Sequence, residues 1–400
     1  MFKYTTKKFA ITTLAAFTLF SVAQPVLAQE LSKTPNLSKE IAATVDLPAV
    51  TFPSDYPTDL AEAVPNARSY AVIDQASHNI LMGKEATTPY PIASMSKIMA
   101  AYLTYQAVEE GKIKLDDKVK VTQAITDNFT NNPELSSAGL VANGEYTVQD
   151  LLYGIMLASG NDATTLLMEK LYGSEQEAVK AIRAKLTEWG ITNFEFYTTS
   201  GIPVQYLPES YWIEGATKTS QNTMSAADVA LMAQYLIEKY PQVLDVTSTR
   251  EYTMAKDTEF AAPVHNSNLL LEGADYGRKG VTGLKSGFTD EAGKCFVTTT
   301  TENGRKIISV VMGVQDPNNT YEQTTLALDA LSKYPELYQK TGFSSNLQLT
   351  AAEKEAEAAK KAAEEAAAKG SQSDDTGIST ENRRHNPFTD AMRSIFSIFN

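Results

Sequence analysis

The sequence predicts an α/β (α+β) fold: one mainly antiparallel sheet, built from both ends of the globular region and flanked by helices. Three observations carry this. Apolar runs bounded by turn residues fall early, at 69–73 and 80–82, and late, at 280–285, 294–301 and 306–314. The stretch between them has helical rather than alternating periodicity. Roughly 290 residues, from Thr51 to Phe343, suffice to enclose a core without covalent staples.

The elements follow in order. Lys3, Lys7 and Lys8 precede an apolar run at 9–22 and the small-residue site Val26-Leu27-Ala28, so residues 1–28 read as an export signal. Residues 29–58 are polar with scattered prolines, a spacer before the globular region at 59–343. The first two strands form a hairpin that turns at 75–79. A helix opens at Ser94 and stops at Gly111. Thr147 starts the next, carrying Leu151, Leu152, Ile155 and Met156, and after a break at Ser159-Gly160 another covers 161–171. Helices at 175–189 and 225–239 follow, the latter capped by Ser225 with Asp228 at its third position. Asn303-Gly304 joins the last two strands as a tight hairpin, and 320–334 closes the region with a helix.

Residues 344–380 form a stalk, first rich in Ala, Glu and Lys and then in Ser, Asp and Gly. At 381–400, Phe388, Met392, Ile395, Phe396 and Phe399 make an apolar helical stripe with no core to join. Such a stripe is expected to lie flat on a membrane. With the export signal, it predicts an exported protein, peripheral on the extracellular face of a bacterial cell membrane.

Charge and composition exclude several classes. The formal charge is −13, and loss of the three signal lysines makes it −16, which argues against nucleic-acid partners. Cys295 is the single cysteine, so no internal disulfide forms, and its apolar neighbours mark it as a core residue. The three histidines, His78, His265 and His385, lie near no Gly-x-Ser-x-Gly elbow, which the chain lacks. No Cys/His cluster suggests a metal, and no organic cofactor is called for.

Chemistry enters at Ser94-Met95-Ser96-Lys97, which opens an apolar helical run. A serine needs a base to become a nucleophile, and i,i+3 spacing sets Lys97 one turn from Ser94. Two further boxes complete a constellation: Ser159-Gly160-Asn161 between helices, and Lys285-Ser286-Gly287 after a strand. Serine–lysine acyl-transfer enzymes carry three boxes of this kind. A literal Lys340-Thr341-Gly342 also exists, but it ends a helix, whereas Lys285 lies between strands where an edge could pair with a peptide.

In this context Pro91-Ile92-Ala93-Ser94-Met95-Ser96-Lys97, Ser159-Gly160-Asn161-Asp162-Ala163 and the run from Gly283 to Gly293 resemble low-molecular-mass penicillin-binding proteins, the serine D-alanyl-D-alanine carboxypeptidases. Thr199-Ser200-Gly201-Ile202-Pro203 and Asn266-Ser267-Asn268-Leu269-Leu270 are similar to secondary segments of that family. The resemblance implies a β-lactamase/transpeptidase-like three-layer fold. It implies that Ser94 attacks the carbonyl between two terminal D-alanines with Lys97 as base, while Ser159 relays a proton to the leaving amine. Asn161 would hold Lys97 and substrate. Lys285, Ser286, Gly287, Phe288 and Thr289 would form the substrate-binding strand, Lys285 supplying positive potential and Ser286 binding the terminal carboxylate. The N–H groups of Ser94 and Phe288 would form the oxyanion hole. Implied partners are peptidoglycan pentapeptide stems, with β-lactam antibiotics as inhibitors.

Two departures stand out. Ser286 replaces the commoner threonine and keeps the hydroxyl. Only about seven residues separate the last helix from the Ala/Glu/Lys stalk, too few for the β-rich domain many relatives carry. Alternatives are a class A β-lactamase, for which Glu209 and Glu214 are the nearest water-activating carboxylates, a transpeptidase, and a non-catalytic penicillin sensor.

Overall fold

A computed structural model describes residues 65–77 and 80–338. The export signal, spacer, stalk, amphipathic stripe, Lys340-Thr341-Gly342, His78 and His385 lie outside the described residues. Five strands form the main sheet: β1 (Ser69–Asp74), β2 (Ile80–Lys84), β3 (Gly283–Thr289), β4 (Gly293–Glu302) and β5 (Arg305–Val314). Their order is β2-β1-β5-β4-β3, all neighbours antiparallel. The two ends of the globular region meet in the middle, where Ser69 to Asp74 register with Met312 to Ile307. At the β4–β5 turn, Asn303 (φ 51°) and Gly304 (φ 77°) both take the left-handed conformation that a tight two-residue hairpin requires.

The helices are α1 (Lys97–Glu109), α2 (Val148–Met156), α3 (Asn161–Tyr172), α4 (Glu175–Glu188), α5 (Ala226–Lys239), α6 (Val243–Thr247) and α7 (Thr320–Lys333). Strand alternation sends Tyr70 and Val72 to one face, against Leu328 and Leu331 of α7. Ala71 and Ile73 point to the other, into a larger core with Ile98, Leu152, Leu167 and Leu231 from α1, α2, α3 and α5. Covering both faces gives the expected three layers. Each large aliphatic side chain removed from water contributes about 1.5–3 kcal/mol.

Local chemistry sets the helix starts. Thr147 and Asp150 make a reciprocal capping box on α2, and Ser174 and Ser225 cap α4 and α5. One strand differs from expectation. The 280–285 run becomes Gly283–Thr289: Gly280 (φ 90°) turns the chain, and although Gly280 O and the Thr282 N–H bond to Thr301 and Thr299, the regular ladder with β4 starts at Gly283. The Lys285-Ser286-Gly287 box therefore lies on the strand rather than after it, and that strand is an open edge of the sheet.

A buried carboxylate closes the first hairpin. Asp74 accepts Arg305 Nε at 3.0 Å, a second Arg305 N–H, and the Ser77 N–H at 3.0 Å. Burial alone would raise its pKa, but the Arg305 and Ser77 hydrogen bonds outweigh that and hold it below the usual aspartate value. The stabilisation is present above the unfolded-state pKa and lost as pH falls through the folded value. Asp74→Asn is expected to cost about 1–3 kcal/mol at neutral pH, with the difference from wild type narrowing in acid. Chemical denaturation at pH 7 and in acid checks this; equal losses at both would count against it.

Candidate active site

Ser94 sits in a tight 3-10 turn, Ala93–Ser96, that runs directly into α1. It is therefore not an N-cap serine. Ala93 is held at φ 46°, outside the region an L-residue prefers, and Ser159 across the cavity is at φ 57°. Strain of this kind costs about 1–3 kcal/mol and persists only where surroundings enforce it. Ser96 Oγ donates to Ala93 O at 2.7 Å, and Asn222 Nδ2 donates to Ser96 Oγ at 2.9 Å and to Thr198 O at 2.7 Å. Asn222 Oδ1 also accepts the Tyr197 and Thr198 N–H groups, so one amide ties the nucleophile's turn to the 197–202 segment.

Lys97 is the first residue of α1 and is completely buried. Its Nζ lies 2.9 Å from Ser94 Oγ, 2.8 Å from Asn161 Oδ1 and 2.7 Å from Ser200 O. Asn161 Nδ2 donates to Ser136 O at 2.9 Å, so its oxygen faces the lysine. Two of the three neighbours are thus pure acceptors. A neutral amine has two hydrogens and one lone pair. Giving both hydrogens to Asn161 and Ser200 aims the lone pair at the Ser94 hydroxyl. Burial first, then repulsion from Lys285, holds Lys97 well below the usual lysine range, with Asp162 and Glu175 pulling the other way.

Asp162 fixes the wall behind Asn161. It accepts Ser137 Oγ at 2.6 Å, Thr130 Oγ1 at 3.1 Å, and the N–H groups of Ala138, Leu140 and Ala163. Opposite, β3 packs against the serine turn so closely that a Cβ on Gly287 would lie 3.1 Å from Ser94 N. That proximity keeps the Ser94 N–H near the backbone of the edge strand. Lys285 is buried, donates to Ser286 O at 3.1 Å, and is lowered to about 7 by burial.

Ser94, Ser159, Ser286, Gly287 and Phe288 line a cavity of about 480 Å³, together with Glu134, Ser136 and Ser267. Ser286 Oγ and Ser267 Oγ are 2.8 Å apart, and the Phe288 ring is exposed. Thr289 is not on this lining; its Oγ1 accepts the Ala292 N–H at 3.0 Å and serves the β3–β4 turn.

Of the residues predicted to act together, Ser94, Lys97, Ser159, Asn161, Lys285, Ser286, Gly287 and Phe288 converge. Ser136, Ser200, Asn222 and Glu175 were not anticipated. Glu209 and Glu214 are exposed and off the cavity, so neither is placed to activate water there. His265 is exposed beside Glu251, 3.5 Å away, and takes no part. Cys295 is buried, with its thiol pushed up to about 11 by burial, unsuited to nucleophilic chemistry at neutral pH.

Known proteins resemble this chain in sequence and fold. The family profile described as D-alanyl-D-alanine carboxypeptidase matches residues 58–316. D-alanyl-D-alanine carboxypeptidase DacF of Bacillus subtilis is 32% identical over 275 residues, 68% of this chain and 64% of the relative. Escherichia coli DacC is 29% identical over 62% of this chain and 57% of its own, so the chain spans about three fifths of these relatives' lengths. Among solved structures, PBP3 of Streptococcus pneumoniae, titled a peptidoglycan synthesis regulatory factor, superposes with TM-score 0.63 at 36% identity, covering 68% of this chain and 74% of that one. Penicillin-binding protein D2 of Listeria monocytogenes, solved with cefotaxime bound, gives 0.54 at 26% identity, covering 68% and 97%. With the profile spanning well over half of the chain, the protein belongs to the peptidase S11 family of D-alanyl-D-alanine carboxypeptidases.

Proposed function

We propose that the protein is a serine D-alanyl-D-alanine carboxypeptidase that removes the terminal D-alanine from peptidoglycan pentapeptide stems. The observation that carries this is the Lys97 amine, buried, bracketed by two acceptors, and 2.9 Å from a serine that opens onto a cavity beside a free strand edge. The peptide adds to the edge of β3 by backbone hydrogen bonds, and its terminal carboxylate meets Ser286 and the Lys285 charge. An arriving carboxylate also favours the protonated form of Lys285.

Ser94 Oγ attacks the carbonyl as its proton passes to Lys97, and the oxyanion is met by the N–H groups of Ser94 and Phe288. The proton then travels by way of Ser159 to the leaving amine, the C–N bond breaks, and D-alanine departs. Water hydrolyses the Ser94 ester, releasing the shortened stem and restoring the hydroxyl. A β-lactam would acylate Ser94 by the same attack. Export and attachment by the amphipathic stripe at 381–400 would place the enzyme beside this substrate. Among the described residues no helix is long and apolar enough to cross a membrane.

D-alanine release from a pentapeptide ending in D-Ala-D-Ala is expected for the wild-type protein and is expected to vanish in Ser94→Ala. Absence of release from wild type, while penicillin still labels Ser94, would replace this reading with transpeptidation or sensing.

A further inference from the structure

Glu175 is a fully buried carboxylate that the scheme above does not use. It opens α4, 1% exposed, and does not line the cavity. Its Oε1 accepts the Thr199 N–H at 2.7 Å and its Oε2 the Thr199 hydroxyl at 2.8 Å. The carbonyl of the following residue, Ser200 O, is the acceptor that takes one hydrogen of Lys97. Two bonds thus grip Thr199, the residue immediately before the one whose carbonyl orients the base.

We propose that Glu175 is a positioning residue for Ser94 acylation: through its two bonds to Thr199 it fixes the segment whose Ser200 carbonyl takes a hydrogen of Lys97. This rests on the reading of Ser94 as the acylated nucleophile. The two carboxylates that act on Lys97 differ in how they are satisfied. Asp162 receives five donors, Glu175 the two from Thr199. Burial, partly offset by the two Thr199 bonds, raises Glu175 to about 7. The groups that face it are Lys97 from α1, Glu169 from α3 and Tyr211 from the loop before α5.

The sign follows. Ionised Glu175 favours a protonated Lys97, which cannot accept the serine proton. Removing that charge lets the amine become neutral at lower pH. Glu175→Gln preserves an acceptor for the Thr199 N–H and removes only the charge. Thr199→Val removes one bond to the carboxylate, disfavours its ionised form, and loosens the Ser200 carbonyl.

The test is the second-order rate of acylation of the full-length protein by a fluorescent penicillin, from pH 5 to 9, for wild type and both variants. In each variant the acid limb is expected to move down by about half a pH unit or more. The maximal rate of Thr199→Val is also expected to fall several-fold. If Glu175→Gln does not fold, Thr199→Val alone decides. Profiles that superpose on wild type in the folded variants would overturn the assignment while leaving the proposed function standing. Failure of wild type to acylate at any pH would overturn both.

Discussion

Lys97→Met is expected to lower the rate of Ser94 acylation by about 10³-fold, the scale of a lost general base. Methionine is unbranched, so it follows the path of the lysine stem through the core of α1 without a new clash. It cannot take a proton. The substitution leaves Asn161 Oδ1 and Ser200 O without their shared donor, a cost of about 1–3 kcal/mol for each buried acceptor left dry. Thermal unfolding therefore has to accompany the kinetics, and a folded variant with a lower midpoint is the expected result. Lys97→Arg offers a second probe, because a guanidinium stays protonated and cannot act as base. In wild type, burial and Lys285 hold the amine well below its usual range, so acylation is expected to decline as falling pH protonates Lys97. A Lys97→Met protein that acylates within ten-fold of wild type would remove lysine from the role of base.

Gly201→Ala is expected to be nearly as damaging, although residue 201 does not line the cavity. Gly201 lies at φ 83°, and a Cβ there would stand 1.9 Å from Ala93 O and 2.7 Å from Ser96 Oγ. The first of these is backbone and cannot rotate away. Either the 197–202 segment retreats and takes Ser200 O from Lys97, or the Ala93–Ser96 turn retreats and takes Ser94 with it. Displacement of about 1 Å at a reacting centre costs about 10²-fold, so acylation is expected to fall by at least that factor. Gly215 supplies the control, since it has the same φ of 83° and open space where a Cβ would go. Gly215→Ala carries only the conformational penalty of about 1–2 kcal/mol and is expected to acylate normally. Equal acylation rates in the two alanine variants would show that contact with the serine turn is not limiting.

These cases show what a linear sequence displays and what it conceals. The strands were legible because each is an apolar run closed by turn residues, and Asn303-Gly304 announces its hairpin through residues that accept positive φ. That Ser94, Lys97, Asn161 and Lys285 would lie together was legible because they are side chains in motifs of recognisable spacing. The start of β3 was set three residues early because Val281 and Thr282 have strand-like composition, while it is the regular ladder with β4 that sets the boundary. Ser200 acts through its carbonyl, which every residue possesses. Glu175 occupies the first turn of a helix, where an acid ordinarily means a favourable helix dipole, and only the folded chain brings Thr199 against it. Asn222 stands in no helix or strand motif, and its role comes from contacts with residues 126 and 24 positions away. Thr289 was read with the substrate-binding strand, and in the fold its hydroxyl accepts the Ala292 N–H of the turn after β3.

The pairing of Ser69 with Met312 at the centre of the sheet also governs how this protein comes into being. The two strands stand 243 residues apart in the chain (312 minus 69), so the entropy of closing a very long loop is spent before their ladder returns anything. Topologies dominated by such distant contacts fold slowly. A nascent chain can form its helices early, but β1 and β2 wait for β5, which leaves two apolar strands uncovered until synthesis has passed residue 314. Truncations ahead of that point are left with an unpaired hairpin rather than a smaller working enzyme, and the interval before closure is when the chain is most exposed to aggregation and proteolysis.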